Sequence, residues 1–167
     1  ASIAITFIKT SSFIIPLWIF AFIILETASS RLSCDILPFL KLAKTLKQLN
    51  YEYVLKLHSK KSPQRDDGKD WADKMISDLV SSNELHTQII ATIQRKGTAI
   101  IGSTGNYVPL TTYYNDNQPK VHWLLIKIFG RKDADYINKH NNQYGFYAGT
   151  MFWVNLGAIS EVLNLKL

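Results

Sequence analysis

One histidine, two lysines and two serines crowd into five consecutive residues, His58-Ser59-Lys60-Lys61-Ser62. An imidazole can donate to a ligand oxygen or accept from one, a hydroxyl can do either, and an ammonium is a point charge suited to phosphate. The cluster closes a run of strand formers, Y-V-L-K-L at residues 53–57, and Pro63 stops regular structure just beyond it. In an open α/β sheet, ligands bind outside the carboxyl ends of the strands. A strand that delivers His58, Lys60 and Ser62 to that end is a candidate site. A strand followed by a solvated basic turn would read the same way, and this stretch alone does not separate the two.

A second stretch, Y-G-F-Y-A-G-T-M-F-W-V at residues 144–154, alternates aromatic and small residues around Gly149. Glycine within a strand marks a place where a ligand or another backbone comes close. Rings beside such a place can stack on the face of a sugar or a base. Ordinary core packing of Phe146, Met151, Phe152 and Trp153 is the competing reading.

Both stretches need elements to hold them. Ile36, Phe39, Leu40, Ala43 and Leu46 recur at helical spacing, with Asp35 placed as N-cap and Pro38 in the first turn, where it costs little. Residues 13–25, F-I-I-P-L-W-I-F-A-F-I-I-L, carry no polar side chain. That run is shorter than the roughly 20 residues a membrane span needs, and its flanks have some look of a signal peptide. A buried parallel strand is equally apolar throughout, and residues 19–25 would supply one. Strand, helix and strand over residues 19–57 then make a right-handed βαβ unit, with the Asp35 loop and the His58 cluster opening on one edge. Further on, the pattern predicts helices over residues 71–80 and 85–96, the second capped by Asn83 and stopped by Gly97. It then predicts a strand at 98–102, a loop at 103–117, a helix from Val121 ended by Gly130, a polar stretch at 133–142 with one helical turn, and a closing helix from Ile159. The expected class is α/β, with a mostly parallel sheet flanked by helices. Residues 1–30 are a hydrophobic N-terminal segment, either the first strand or a signal or anchor, and residues 31–167 are the main domain.

Composition narrows the function. Hydrophobic residues at 47% and charged residues at 19% fit a globular chain, and 167 residues suffice for one domain with a sizeable core. A net charge of +6 suits an anionic partner such as a nucleotide, a phosphate or a membrane surface. The lysines are scattered, with no block of like charge, so nucleic acid is not an expected partner. Cys34 is the only cysteine, which forbids an internal disulfide and is compatible with a reducing compartment. The expected setting is the cytoplasm, at the membrane face if residues 13–25 anchor the chain. No CxxC, HExxH or Cys/His cluster suggests zinc.

Three segments in this order resemble the rhamnan synthesis protein F family of bacterial polysaccharide glycosyltransferases. They are D-I-L-P-F-L at 35–40, Y-V-L-K-L-H-S-K-K-S at 53–62 followed by D-G-K-D-W ending at Trp71, and F-Y-A-G-T-M-F-W-V at 146–154. The likeness runs over about residues 31–164. The H-x-K-x-S and A-G-T-M-F-W segments are specific in combination and weak apart. The resemblance implies a Rossmann-like, GT-A-type sheet, incomplete in that the first strand of a full nucleotide-binding half is hard to find upstream, and transfer of a deoxysugar such as rhamnose from a nucleotide-diphosphate sugar to a glycan acceptor. In related enzymes the strand matching residues 53–57 ends in a D-x-D that holds a divalent cation; here that place reads His58-Ser59-Lys60. Hard cations want oxygen ligands, so the resemblance implies donor binding without a metal. Lys60, with Lys61, would meet the diphosphate, His58 the phosphate or sugar, and Ser62 would shape the turn. Asp35 would face the donor, while Gly149, Thr150, Phe152 and Trp153 would line the sugar or acceptor side.

The chain departs from the family at two places. The loop before the first matched helix usually reads like N-x-G-R-D, but here it is Arg31-Leu32-Ser33-Cys34-Asp35. Family members also continue past the point matching Leu167 into a segment with its own histidine and acidic residues. An inverting transfer needs a base near the acceptor hydroxyl, and Asp66, Asp67 and Glu161 qualify by charge alone, so no catalytic residue is assigned. The alternatives to a transferase are a truncated, non-catalytic sugar- or nucleotide-binding homologue and a membrane-anchored structural protein.

Overall fold

The computed structural model describes residues 3–8, 36–58, 66–113 and 117–165. Its centre is strand β2 (Tyr53–His58), in which the first four residues are all buried. Such a strand must be covered on both faces. On one side it pairs antiparallel with β1 (Ile3–Ile8), Ile3 opposite His58. On the other it pairs antiparallel with β6 (Phe152–Asn155), Leu55 opposite Trp153. Strand β3 (Ile100–Gly102) pairs antiparallel with β6 and completes a four-stranded sheet of order β1-β2-β6-β3.

Successive side chains of a strand point to opposite faces, and the register sorts the core accordingly. Val54, Phe152 and Val154 meet Phe39, Ala43 and Leu46 of α1 (Ile36–Gln48) and Leu163 of α6 (Ser160–Leu163). Tyr53, Leu55 and Trp153 meet Met75 and Leu79 of α2 (Gly68–Val80) and Ile89 and Ile93 of α3 (Asn83–Lys96). The result is three layers, helices on both sides of an antiparallel sheet. A two-stranded sheet of β4 (Tyr107–Pro109) and β5 (Gly145–Tyr147) lies beside it. The Tyr147 ring covers Gly102, where any Cβ would collide with it. Helices α4 (Gln118–Phe129) and α5 (Arg131–Lys139) pack on each other across Gly130, whose φ of +83° makes the corner.

The mostly parallel, Rossmann-like GT-A-type sheet is thereby corrected, since every strand pairing among the described residues is antiparallel. Residues 19–25, the expected first strand, lie outside the described residues, but β1 and β6 already occupy both sides of β2 from Tyr53 to Lys56. The physical reason is that helices cover both faces of the sheet. A strand buried twice over reads as a continuous apolar run whichever way its neighbours point.

Smaller departures have local causes. Ser82 caps α3 in place of Asn83, its Oγ accepting from the Leu85 N–H at 3.1 Å. Gly97 ends that helix as expected, at a φ of +61°. The polar stretch after Gly130 forms the nine residues of α5, and only Ala134 of them is buried, so the apolar stripe was too thin to read. Among the described residues, no helix is long and apolar enough to cross a membrane.

His86 of α3 is 3% exposed, its ring centroid 5.5 Å from that of Trp153. Burial disfavours its charged form and lowers its pKa below the ordinary 6.5. As pH falls below 6.5 the unfolded chain therefore takes up a proton before the folded one does, and stability drops until the folded value is passed. The midpoint of urea unfolding should be flat above neutral pH and decline below it, and His86→Phe should remove that part of the decline.

Candidate functional site

Alternation along β2 aims Val54, Lys56 and His58 at the same face. Lys56 is wholly buried, and its Nζ donates to the Thr150 carbonyl at 2.8 Å. The same amine stands 5.8 Å from the centroid of the Phe152 ring. One step further along the face, Nε2 of His58 lies 2.7 Å from the Gly149 carbonyl. A carbonyl only accepts, so this nitrogen carries the proton. The Thr150 hydroxyl is 3.0 Å from the same nitrogen.

The turn that receives these bonds joins β5 to β6 and holds two left-handed residues in succession, Gly149 at φ +94° and Thr150 at φ +54°. For a β-branched residue that conformation is a genuine outlier, with a cost on the order of 1–3 kcal/mol. Gly149 also has no room for a side chain, since a Cβ would sit 2.6 Å from Sδ of Met75 and 3.5 Å from the Trp71 ring. Gly149 thus lies in a turn and not within a strand, and its near neighbours are the side chains of Met75 and Trp71.

A polar chain braces the turn from behind. Trp71 Nε1 donates to Asn106 Oδ1 at 2.6 Å, Asn106 Nδ2 to Ser103 Oγ at 2.9 Å, and Ser103 Oγ to Asp78 Oδ2 at 2.6 Å. Asp78 also accepts from the Thr104 N–H and from Lys74. Burial opposes the charge of Asp78, but the bonds from Lys74, Ser103 and Thr104 outweigh it and hold the carboxyl below its ordinary pKa. The Asn106 carbonyl returns to the turn by accepting from the Ala148 N–H at 2.8 Å.

His58, Gly149 and Thr150 are therefore in direct contact. Phe152 points to the same face as Lys56 and is 9% exposed, its ring edge-on to Phe39 with centroids 5.6 Å apart. Trp153 points to the other face, fully buried, and donates to the Leu79 carbonyl at 3.0 Å. Asp35, Lys60 and Ser62 lie outside the described residues. Sequence reasoning passed over Lys56, Trp71 and Asn106. Lys56 could have been found, because it is the one charged residue inside an otherwise apolar strand and sits two positions before His58.

Both described donors at the end of β2, Lys56 Nζ and His58 Nε2, are engaged by carbonyls of the turn, so what the geometry shows them doing is holding it. Among the described residues, no three His, Cys, Asp or Glu side chains gather as a metal site. Open clefts are found elsewhere among the described residues. One, of about 360 Å³, is between α1 and α6 beside Lys41 and Lys44, and one, of about 400 Å³, is at the start of β2 beside Tyr51 and Asn155.

A helix-covered antiparallel sheet whose cationic strand end grips a glycine turn is a mixed α/β domain, and sequence comparison places it further. Residues 24–167 match the family described as Rhamnan synthesis protein F. The chain belongs to that family, which is linked to rhamnan and polysaccharide synthesis. It is also 31% identical over 133 residues to a protein of Xanthomonas campestris pv. campestris described as "Uncharacterized protein WxcX", in strains B100 and ATCC 33913 alike. The match covers 80% of this chain but 18% of each relative, so the chain spans under a fifth of their length. No solved structure matches the chain.

Lys56 and His58 secure the same turn, so their removal should not be additive. Lys56→Met should lower unfolding free energy by about 1.5–3 kcal/mol, the range for a hydrogen bond to a charged group. His58→Phe should cost less in the Lys56→Met background than in the parent chain, as measured by urea unfolding of all four proteins.

Proposed function

We propose that this chain binds a nucleotide-diphosphate sugar and transfers its sugar, a deoxysugar such as rhamnose, to a glycan acceptor. Family membership over residues 24–167 supports the reading. The observation that carries it is the bond between His58 Nε2 and the Gly149 carbonyl at 2.7 Å, which joins the two most specific segments across 91 residues of sequence. In this reading the end of β2 faces the donor. Lys60 and Lys61 meet the diphosphate as it leaves, the point where an electrostatic contribution to the transfer is largest. His58 and Thr150 orient the sugar, and Lys56 keeps the turn in place from beneath. No divalent cation is required, because ammonium groups take its role.

A second reading, binding without transfer, is favoured by the state of Asp78. That carboxylate stands in the network behind the turn, but Lys74, Ser103 and Thr104 engage it and depress its pKa, which makes it a weak proton acceptor.

With dTDP-rhamnose at a hundredfold excess over its Kd, the melting temperature should rise by roughly 5–10 °C. The rise should persist in a chelator and vanish in Lys60→Ala. No rise with any of a panel of nucleotide-sugars would overturn the proposal. A rise without release of nucleoside diphosphate, in the presence of glycan acceptors, would select the binding reading.

A further inference from the structure

Helix α4 buries none of its twelve residues, although its sequence Q-P-K-V-H-W-L-L-I-K-I-F is mostly apolar. Val121, Leu125 and Ile128 are half-covered, and His122 bonds Asp135 of α5. Residues three and four apart share a helix face, and Lys120, Trp123, Leu124 and Lys127 form such a set, all exposed. Trp123 is 58% exposed and Leu124 36%, and Nζ of Lys127 stands 5.6 Å from the Trp123 ring centroid. The solvent face of a helix in a water-soluble domain is ordinarily polar, and this one is not. At the corner between the helices Phe129 is 47% exposed, and Arg131 and Lys132 follow it, also exposed.

Charge sets the hairpin apart in the same way. Residues 118–139 hold five cations, Lys120, Lys127, Arg131, Lys132 and Lys139, against Asp133 and Asp135, a balance of +3 that is half of the chain's +6. Asp135 is paired with His122 at 2.8 Å.

We propose that the α4–α5 hairpin is a docking surface for anionic lipid headgroups. Lys120, Lys127, Arg131 and Lys132 meet the phosphates, and Trp123, Leu124 and Phe129 enter the boundary between headgroups and acyl chains. Two features select this occupant over a protein partner. The centres of protein interfaces are depleted of charge, whereas here lysines alternate with the apolar residues along one face. Interfacial helices show that mixture, with Trp and Leu beside Lys and Arg. Anionic surfaces attract such clusters over about a Debye length. The inference concerns attachment and stands independently of the transfer reaction.

The test is co-sedimentation of the chain with vesicles of phosphatidylcholine alone and with added phosphatidylglycerol. The chain should pellet with the anionic vesicles only, and salt should release it. Lys120→Glu with Lys127→Glu should weaken partitioning by roughly tenfold or more, while Lys69→Glu on α2 should leave it unchanged. Tryptophan emission should shift to the blue on binding, and Trp123→Phe should abolish most of that shift. All the substituted residues are exposed, so the variants should keep the parent circular dichroism. Equal binding to neutral vesicles, no binding to either kind, or an undiminished shift in Trp123→Phe would overturn the proposal. So would a dimer that Trp123→Ser splits, which would assign the face to a second copy.

Discussion

Burying the ammonium of Lys56 inside a sheet requires protein oxygens to replace its water, and the Thr150 carbonyl at 2.8 Å is one of them. That requirement reaches outward. For its carbonyl to point back at β2, Thr150 adopts a backbone conformation that its side chain disfavours, and Gly149 must precede it in a left-handed conformation too. His58 takes the next carbonyl along. The turn is held by two donors from one strand on one side and by Met75, Trp71 and Asn106 on the other. Strain of this kind persists only where the surroundings over-determine it, and here they do.

The layered core makes the bracing possible. Trp153 locks β6 to α2 through the Leu79 carbonyl, while Phe152, its neighbour, locks the same strand to α1 through Phe39. Strand β6 is therefore gripped on both faces immediately after the turn. Helix α2 supplies Trp71, Met75 and Asp78 along one side, so a single rigid element carries the ring against Gly149, the sulfur beside it and the anchor of the polar chain. Among the described residues, the candidate site thus rests on packed strands and a helix, with the Gly149–Thr150 turn and the Ser103–Asn106 loop as irregular parts.

The helices were largely legible in the sequence because their signals are local. The stripe from Ile36 to Leu46, the left-handed stop at Gly97 and the corner at Gly130 each depend on neighbours within a turn or two. Strand direction was not legible. Tyr53 to Lys56 are buried from both sides, and a twice-buried strand carries no alternation to reveal its partners. The meeting of His58 with Gly149 and Thr150 depends on the pairing of β2 with β6, a contact between residues 91 and 92 apart. The partners of Lys56 were hidden for the same reason, since an isolated lysine in a strand reads as an edge or a register marker until the opposing carbonyl is in view. Residues 144–154 left a ligand approach and ordinary packing open around Gly149, and Met75, which lies against it, is too far away in sequence to be read as the neighbour.

Strand β3 has further importance because of what it ends. It contributes three residues, and Gly102, the last of them, is roofed by the Tyr147 ring. An open sheet margin offers unpaired N–H and C=O groups to any extended peptide, and proteins commonly defend it with charge or proline. Here brevity and an aromatic lid do that work instead. On that flank β3 presents too short a template for a neighbouring chain to extend the sheet, which disfavours fibrillar association.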